Sequence, residues 1–505
     1  MVLQTLIKSL DARVAGDSDI EVSGIAYDSR SVRPGFIFAA IPGEHVDGHS
    51  FIGRAVEAGA SCVLAERETE NTAATQVIVK DIRAALSKVS ALFYGEPSKR
   101  LTLVGVTGTN GKTTTTYLLE SIFKAANLNP GVIGTVNYRY NGATFEAPHT
   151  TPQAPDLQRL LKDMADAGVT HAIMEASSHA LEQKRAGDCA FKVGIFTNLT
   201  LDHLDYHKTM DEYFNAKAIL FGLVKDNSGR TVVNIDDAWG VKLKEMYPAS
   251  ITVSLEKGAD VYPSKYALKD GMTEAVVRTP SGDVNISSHL VGEYNLQNIL
   301  TAVAASYALG IEGAKISGGI SSLARVPGRL EKIEALGARP FRAYVDYAHT
   351  SDALERALNA LRPVSTGRII TVFGCGGNRD RTKRPKMGGI AARLSDVTII
   401  TSDNPRDEDP IEIIKEIEAG IEGTARKKAD EPLAGHCYTV IPDRTEAIWK
   451  AVSEASAGDT ILVAGKGHED YQIVKGKKSR FSDFEVLRSA IDGSGKAGRL
   501  RSNGH

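Results

Sequence analysis

The 505-residue sequence contains little cysteine, no marked excess of either charge and no long apolar run. Its four cysteines form no CxxC pair, so we expect plain buried thiols in a reducing compartment, not a zinc cluster or a disulfide framework. Lys and Arg number 60 against 62 Asp and Glu, and the net charge of -2 offers no global field to attract nucleic acid or an anionic membrane. No apolar run reaches the ~18 residues of a membrane-spanning helix, and residues 1–14 lack the apolar stretch of a signal peptide. We therefore expect a cytoplasmic protein that neither enters a membrane nor binds nucleic acid.

The apolar pattern predicts an α/β protein with three domains. Residues 1–98 combine short strand-like runs with one helical stretch, which indicates a small N-terminal α/β domain. Residues 99–328 alternate apolar β-branched runs with helix-length amphipathic stretches, which is typical of a mostly parallel sheet covered by helices. After a Pro-Gly break, residues 329–492 resume this alternation and predict a doubly wound, Rossmann-like C-terminal domain. The tail at 493–505 is rich in Gly, Ser, Lys and Arg and is predicted to be disordered.

Individual elements follow from the same pattern. A hairpin is predicted within 271–291 and a helix at about 294–309. The predicted strands that would carry a site are 101–106, 171–176, 193–198 and 231–235 in the central domain, and 342–346, 369–374, 397–401 and 461–464 in the C-terminal domain.

A glycine loop between a predicted strand and a predicted helix points to phosphate binding. Residues 107–114 read TGTNGKTT. Glycines let backbone N–H groups turn toward phosphate oxygens, and the lysine neutralises the β- and γ-phosphates. The spacing departs from the Walker pattern because Val106 stands where its first glycine belongs, so a simple glycine turn is the alternative. The loop predicts a nucleotide site formed by Gly108, Thr109, Asn110, Gly111, Lys112, Thr113 and Thr114.

Acidic and imidazole side chains follow two other predicted strands. Glu175 ends the strand 171–176, and residues 202–207, which read DHLDYH, follow the strand 193–198. Ligands of doubly wound sheets bind beyond the carboxyl ends of the strands, so these side chains are candidates for a site. An ordinary solvated loop is the alternative for residues 202–207.

The phosphate loop and the segments after it resemble the Mur ligases and the related folylpolyglutamate synthetases, and the resemblance runs from Tyr27 to about Asp483. It implies ATP and Mg²⁺ as cofactors. By resemblance the catalytic residues are Lys112, Glu175, His203 and Lys217, and the metal ligands are Thr113, Glu175, His203 and Lys217. The lysine ligand would be a carbamate, which replaces a repelling ammonium with an anionic oxygen suited to a hard cation. Further nucleotide contacts implied are Asn298, Arg329, Asp346 and His349.

The same resemblance implies two substrates. One is a UDP-N-acetylmuramoyl dipeptide, with the expected contacts Tyr27, Ser29, Glu44, His45, Val46, Thr150, Thr151, Ser177, Gln183 and Arg185. The other is meso-diaminopimelate, because residues 403–406, which read DNPR, match the signature of the branch that adds it. Arg406 can hold the distal carboxylate of this substrate through two parallel hydrogen bonds, and lysine has no such carboxylate. The expected contacts of meso-diaminopimelate are Arg379, Asp403, Asn404, Pro405, Arg406, Gly465 and Glu469.

The resemblance thus implies an ATP-dependent, amide-forming ligase of peptidoglycan precursor synthesis, expected to be a monomer. Within this class the alternatives are the lysine-adding branch and folylpolyglutamate synthetase. Outside it, they are a catalytically silent nucleotide-binding protein and a kinase that stops at phosphorylation. A dinucleotide site at 374–379 is disfavoured, because Arg379 stands where GxGxxG requires its third glycine.

Overall fold

The computed structural model describes residues 1–493 apart from 44–45, 71, 270, 335–339, 422, 424–425, 428–432 and 434. Residues 494–505 of the predicted tail and two predicted substrate contacts, Glu44 and His45, therefore lie outside the described residues. The four cysteine side chains, Cys62, Cys189, Cys375 and Cys437, are all buried, as the sequence predicts. Among the described helices, none has the length and apolar character needed to cross a membrane.

The N-terminal domain is a five-stranded sheet with apolar packing on both faces. Its elements are α1 (Leu3–Ile7), β1 (Ala12–Ala15), β2 (Gly24–Ala26), β3 (Phe36–Ala39), α2 (Ile52–Glu57), β4 (Cys62–Ala65), β5 (Thr75–Val79) and α3 (Ile82–Phe93). The strand order is β1-β5-β4-β3-β2, and only the β1–β5 pair is antiparallel. Alternate residues of β4 enter two separate cores, with Leu64 on one face and Val63 on the other. Burial on both faces explains why such strands read as continuous apolar runs.

The central domain is built on an eight-stranded sheet with β6 in its interior. Its elements are β6 (Thr102–Thr107), α4 (Lys112–Ala125), β7 (Pro130–Ile133), β8 (Tyr138–Tyr140), β9 (Ala143–Phe145), α5 (Ala154–Asp166), β10 (His171–Glu175), α6 (Ser178–Glu182), β11 (Phe191–Phe196), α7 (Leu204–His207), α8 (Met210–Asp226), β12 (Arg230–Asn234), α9 (Ala238–Met246) and β13 (Ile251–Val253). The order is β13-β12-β11-β6-β10-β7-β8-β9, parallel from β13 to β7. The carboxyl ends of β6, β10 and β11 therefore meet at one edge.

A three-stranded antiparallel sheet follows, where the sequence predicted a hairpin. It consists of β14 (Tyr262–Lys269), β15 (Met272–Thr279) and β16 (Gly282–Ser288), followed by α10 (Glu293–Ala308) and α11 (Gly313–Ser322). The hairpin is β15–β16, and β14 was missed. That strand contains Pro263 and is largely exposed, so it lacks the period-two apolar pattern that marks a half-buried strand.

The C-terminal domain repeats the parallel design in a seven-stranded sheet, and a separate two-stranded hairpin follows near its end. Its elements are β17 (Glu331–Lys332), β18 (Arg342–Asp346), α12 (Ser351–Leu361), β19 (Ile369–Phe373), α13 (Lys383–Leu394), β20 (Val397–Ile400), α14 (Pro410–Glu418), β21 (Arg426–Lys427), β22 (Cys437–Val440), α15 (Arg444–Glu454), β23 (Thr460–Ala464), β24 (Tyr471–Val474), β25 (Lys477–Arg480) and α16 (Asp483–Asp492). The order is β17-β18-β23-β19-β20-β22-β21, and only β17 is antiparallel to its neighbour. The α/β fold class predicted from the sequence is confirmed.

A fully buried ion pair ties the ends of two strands in this domain. Arg444 Nε and Nη2 donate to the Asp483 carboxylate, both at 2.7 Å, and neither side chain is exposed. The same guanidinium reaches the carbonyl oxygen of Ala464 at 2.8 Å and that of Ser402 at 3.4 Å. Arg444 therefore links the loops that follow β20 and β23.

We expect Arg444→Leu to lower the free energy of unfolding of the C-terminal domain by about 3–5 kcal/mol, because it leaves Asp483 buried without a counter-charge. Arg480→Leu is the matched control. Arg480 pairs with Glu485 of α16, the helix that also carries Asp483, but the side chains of Arg480 and Glu485 are 79% and 58% exposed. The control should cost about 0–1 kcal/mol. Urea-induced unfolding followed by circular dichroism measures the free energy of unfolding of both variants. Equal losses of stability would contradict the stabilising role of the buried Arg444–Asp483 pair.

Candidate active site

The glycine loop is a turn in which two positions accept no side chain. Gly108 has a φ of +144°, and a Cβ there would lie 1.9 Å from Thr197 Oγ1. Gly111 has a φ of +89°, and its Cβ would lie 2.2 Å from Asn298 Oδ1. Because β6 ends at Thr107 and α4 begins at Lys112, the loop runs directly into the positive end of a helix. Gly108 therefore allows the backbone of the turn to pass close to Thr197, and this explains how the loop forms without a glycine at position 106.

Two lysines, the half-buried Lys112 and the buried Lys217, point at this loop from different helices. Lys112 Nζ donates to the carbonyl oxygens of Gly108 at 2.9 Å and Thr109 at 2.8 Å. Lys217, on α8, donates to the same Gly108 oxygen at 2.9 Å and lies 4.2 Å from the centre of the Tyr213 ring. Burial lowers the pKa of Lys112, while burial and then the charge of Lys112 lower the pKa of Lys217 far below its ordinary value. Lys112 therefore supplies a local positive charge beside the loop, in a chain of nearly neutral charge.

Glu175 lies at the end of β10 beside the loop and is held by hydroxyl groups. Thr113 Oγ1 lies 3.0 and 3.2 Å from its two carboxylate oxygens. Thr135 donates to the same carboxylate through its backbone N–H at 3.0 Å and its hydroxyl at 2.9 Å. Thr135 was missed in the sequence, although its place just beyond β7, at the same sheet edge, was a usable signal.

His203 lies in the loop after β11 and faces the lysine pair. Its φ is +55°, and its Nε2 lies 3.5 Å from Asp202 Oδ2. Burial lowers the pKa of His203 to about 4, and the nearby charges of Lys217 and Lys112 act in the same direction. The ring is therefore neutral near pH 7, with a nitrogen lone pair available for a ligand. Within the described part of the chain, no three or more His, Cys, Asp or Glu side chains are grouped so that they could hold a metal, so further oxygen donors would be needed.

Residues of the C-terminal domain reach the phosphate loop. Arg329 Nη2 lies 3.2 Å from Thr113 Oγ1. Asp352, in the first turn of α12, accepts hydrogen bonds from Asn110 Nδ2 at 2.7 Å and from the Thr200 hydroxyl at 3.2 Å. Asp352 was missed in the sequence, since one acidic residue at the start of a helix is ordinary capping chemistry. These contacts join the two domains at the loop itself.

Asp346 connects the segment that carries Arg329 to the segment that carries His349. Its carboxylate accepts the backbone N–H of Leu330 at 2.6 Å and of Ala348 at 2.8 Å. Burial raises the pKa of Asp346 to about 6, although Arg329 acts against this shift. Asn298 lies under the loop on α10, as the Gly111 geometry requires. Four predicted nucleotide contacts, Asn298, Arg329, Asp346 and His349, are thus brought around the loop or onto the segment facing it.

The predicted acceptor-binding residues of the central domain are contiguous with Glu175. The Thr151 hydroxyl donates to the Glu175 carbonyl oxygen at 2.7 Å, and the hydroxyl oxygens of Thr150 and Thr135 are 3.0 Å apart. Arg185 donates to the Thr151 carbonyl oxygen at 3.1 Å. The remaining two members, Gln183 and Ser177, adjoin this group: Arg185 Nη2 donates to Gln183 Oε1 at 2.7 Å, and the Ser177 N–H donates to Thr151 Oγ1 at 3.1 Å.

The predicted uridine-side residues are more dispersed. Tyr27 donates its hydroxyl to Asp156 Oδ2 of the central domain at 2.6 Å, while Ser29 is buried in a short 3₁₀ turn. Val46 is 55% exposed, and its carbonyl oxygen accepts the N–H of Gly43. Tyr27 is close enough to Arg185 for the two side chains to interact electrostatically, so it adjoins the Glu175 group.

A cavity of about 960 Å³ lies between the central and C-terminal domains. Asp202 and His203 line it from the central domain, and His349 lines it from the C-terminal domain. Six of the predicted amino-acid contacts line the same cavity: Arg379, Asp403, Asn404, Arg406, Gly465 and Glu469. Pro405 is not among the lining residues.

Arg406 is held in this cavity by the hairpin β24–β25, which the sequence did not predict. Its backbone has a φ of +53°, its N–H donates to Ile473 O at 3.0 Å, and its carbonyl oxygen accepts the Lys475 N–H at 2.6 Å. The guanidinium Nη1 donates to Gly377 O at 2.7 Å. Both the backbone and the guanidinium are therefore anchored by main-chain groups.

Three family models match the chain: "Mur ligase family, catalytic domain" at residues 21–94, "Mur ligase middle domain" at 106–306 and "Mur ligase, glutamate ligase domain" at 328–467. A relative from Gloeobacter violaceus is 46% identical over 94% of each chain, and one from Geobacter sulfurreducens is 46% identical over 98% of this chain and 99% of its own. The chain belongs to the Mur ligase family. As a member of this family it is an ATP-dependent ligase that forms amide bonds, as its motifs predict.

Both of those relatives are named UDP-N-acetylmuramoyl-L-alanyl-D-glutamate--2,6-diaminopimelate ligase. A solved structure of a ligase with the same name has a TM-score of 0.69 and 33% identity, with 98% of this chain and 99% of that chain covered. A Mycobacterium tuberculosis folylpolyglutamate synthase complexed with ADP has a TM-score of 0.61 at 15% identity, over 76% of this chain and 93% of its own. That second likeness shows the fold alone.

We expect Gly111→Ala to weaken nucleotide binding at least tenfold, because ~1–3 kcal/mol of backbone strain adds to the collision with Asn298. Gly168→Ala is the matched control: its φ of +81° imposes the same kind of strain, but its Cβ would enter open space far from the loop. The control should lose some stability and keep its affinity for the nucleotide. Isothermal titration calorimetry gives both dissociation constants, and unchanged affinity in Gly111→Ala would contradict this account of the loop.

Proposed function

We propose that this chain joins meso-diaminopimelate to the D-glutamate side-chain carboxyl of UDP-N-acetylmuramoyl-L-alanyl-D-glutamate, an amide-forming step of peptidoglycan precursor synthesis. The observation that carries the proposal is the shared cavity, which Asp202 and His203 line from the phosphate-loop side and Arg406 and Glu469 line from the C-terminal domain. The names of the relatives support the same reaction. We further propose domains at 1–98, 99–328 and 329–492, and a cytoplasmic monomer that binds no nucleic acid.

The proposed chemistry has two balanced steps. An oxygen of the acceptor carboxylate attacks the γ-phosphorus of ATP, the bond to the β,γ-bridging oxygen breaks, and ADP leaves. The amine then attacks the carbonyl carbon of the acyl phosphate, phosphate departs with the electron pair of the broken C–O bond, and the amine loses a proton. Lys112, half-buried beside the loop, stabilises the charge that develops on the transferred phosphoryl group. This route requires no covalent enzyme intermediate.

The residues around Glu175 fit Mg²⁺. Two hard oxygen donors, the Thr113 hydroxyl and the Glu175 carboxylate, are already 3.0 Å apart and buried. We propose that Thr113, Glu175, neutral His203 and a carbamate on Lys217 hold the ions. When bound, magnesium supplies the positive charge that screens ATP from the acceptor carboxylate. His203 contributes a nitrogen ligand because its ring is unprotonated at neutral pH.

Lys217 is suited to the modification that this proposal requires. Carbamate formation joins a neutral amine to CO₂ and releases a proton, and an ammonium ion does not react. Burial and the neighbouring charge of Lys112 depress the pKa of Lys217 strongly, which favours the neutral amine. The resulting carboxylate would place a negative charge beside Lys112, where the neutral amine carries none.

Contacts between the two domains would complete the site and exclude water. Arg329 meets Thr113, and Asp352 meets Asn110, so both join the C-terminal domain to the phosphate loop. An acyl phosphate hydrolyses when water reaches it, which makes a closed cavity useful for the second step. We propose that these two contacts hold the closed arrangement while the amine attacks.

The decisive experiment is release of ADP with and without the amino acid. With ATP, magnesium and the UDP-muramoyl dipeptide present, we expect sustained ADP release only after meso-diaminopimelate is added. Lysine at the same concentration should support little turnover, because it leaves the half-buried Arg406 guanidinium without a carboxylate partner. Release that ignores the amino acid would contradict the ligase proposal, and equal use of lysine would favour the lysine-adding branch.

We expect Arg406→Gln to raise the KM for meso-diaminopimelate by about 10- to 1,000-fold, since a charge-assisted hydrogen-bond pair contributes roughly 1.5–4 kcal/mol. The KM values for ATP and the dipeptide should stay within about twofold. Arg393→Gln, which removes an exposed ion pair with Glu355 in the same domain, should change none of the three. Steady-state kinetics measure all of them, and an unchanged KM for diaminopimelate in Arg406→Gln would exclude this carboxylate contact.

A further inference from the structure

A fully buried lysine lies behind the proposed amino-acid contacts. Lys466 Nζ donates to Asn404 Oδ1 at 2.8 Å and to the Tyr471 carbonyl oxygen at 2.9 Å. The same nitrogen lies 3.2 Å from Asp403 Oδ1 and 3.7 Å from Glu469 Oε2. Its side chain has no exposed surface and does not line the cavity, whereas Asp403, Asn404 and Glu469 do. Lys466 is therefore placed to act on the substrate only through these three side chains.

The two carboxylates that Lys466 approaches are also close to each other. Glu469 accepts a hydrogen bond from Asn404 Nδ2 at 2.9 Å, and burial and then the charge of Asp403 raise the pKa of Glu469, while Lys466 opposes that rise. Asp403 Oδ1 is in ion-pair contact with Lys466 and receives no hydrogen bond from the described residues. Around Lys466 the two carboxylates exceed the ammonium by one negative charge, while Arg444 nearby is already paired with Asp483 and Arg406 is the cation assigned to the substrate carboxylate. An amino acid brings an ammonium group that would complement the excess negative charge of this carboxylate pair.

We propose that Lys466 is a positioning residue that holds Asp403 and Glu469 directed into the cavity, where the pair binds the ammonium group of the added amino acid that does not react. The inference rests on the proposed function and adds a requirement for this charge balance. Arg406 would hold the carboxylate of the same substrate, so the ammonium and carboxylate ends meet opposite charges. Other charged or titratable groups near the pair are Arg406, Arg444, Tyr347 and Tyr471.

The first test is the kinetics of Lys466→Met, which keeps the length of the side chain and removes its charge. We expect the KM for meso-diaminopimelate to rise at least about tenfold, because loss of one partner of a buried charge network weakens the binding that depends on it. The KM values for ATP and the dipeptide should stay within about twofold, and kcat within about threefold. Lys415→Met is the matched control, since Lys415 lies in the same domain, forms an exposed pair with Glu412 and does not line the cavity, and its three KM values should be unchanged.

The second test is the pH dependence of that KM, which a merely structural role would not alter. Without Lys466, burial and the charge of Asp403 raise the pKa of Glu469 further, because the opposing ammonium is gone, so Glu469 stays protonated to a higher pH. In Lys466→Met the KM for diaminopimelate should therefore fall as the pH rises through this raised pKa and Glu469 becomes ionised. In the unsubstituted enzyme and in Lys466→Arg, which retains the charge, the same fall should occur at a lower pH.

The outcomes separate the two proposals. If the unsubstituted chain releases no ADP in response to diaminopimelate, the proposed function fails. If it does, but Lys466→Met keeps its KM for diaminopimelate, or loses affinity for all three substrates without the shift in pH dependence, the role of Lys466 alone is overturned. If Lys466→Met does not fold by circular dichroism, Lys466→Gln, which keeps a hydrogen-bond donor, is measured in its place against the same criteria.

Discussion

Two lysine side chains share one carbonyl oxygen, that of Gly108, at a site where Lys217 is buried and Lys112 is half-buried. Lys112 and Lys217 each approach this oxygen to 2.9 Å, and burial lowers the pKa of both. Like charges cannot both persist so close together in a low dielectric unless negative charge accompanies them. The site therefore favours an arriving phosphate and a neutral or modified Lys217. A chain with a net charge of -2 can thus recruit a highly anionic nucleotide through one local arrangement.

The two parallel sheets explain how distant parts of the chain meet at this place. In the central sheet, Glu175 and the loop of His203 follow β10 and β11, which are the neighbours of β6. In the C-terminal sheet, Asp403 and Gly465 lie just beyond β20 and β23, and both strands pair with β19. Parallel strands have their carboxyl ends at the same edge of the sheet, so the polar residues that follow the strands of one sheet lie close together there. The cavity forms because these two edges face each other.

Much of this arrangement could be predicted from sequence, and the gaps have physical causes. The eight predicted site strands correspond to β6, β10, β11, β12, β18, β19, β20 and β23 within about two residues, because covered parallel strands form continuous apolar runs. The hairpin β24–β25 has no such signal: residues 477–480 of β25 read KKSR and are exposed, and the hairpin pairs with the backbone of Arg406. Thr135, Asp352 and Lys466 were missed because single polar residues carry no periodicity, and only the tertiary structure shows what they contact.

The unpredicted hairpin bears directly on how one amino acid is chosen over another. The backbone of Arg406 adopts a left-handed conformation that is unfavourable for arginine, and two main-chain hydrogen bonds from the hairpin hold it there. A guanidinium anchored in this way, with Nη1 on Gly377, cannot easily turn away when a substrate lacks the matching carboxylate. Under the proposed function, discrimination would come from the half-buried guanidinium that the wrong substrate leaves unpaired, in addition to the loss of one attractive contact. Rigidity in the loop, as much as the presence of an arginine, is therefore what selectivity at this position requires.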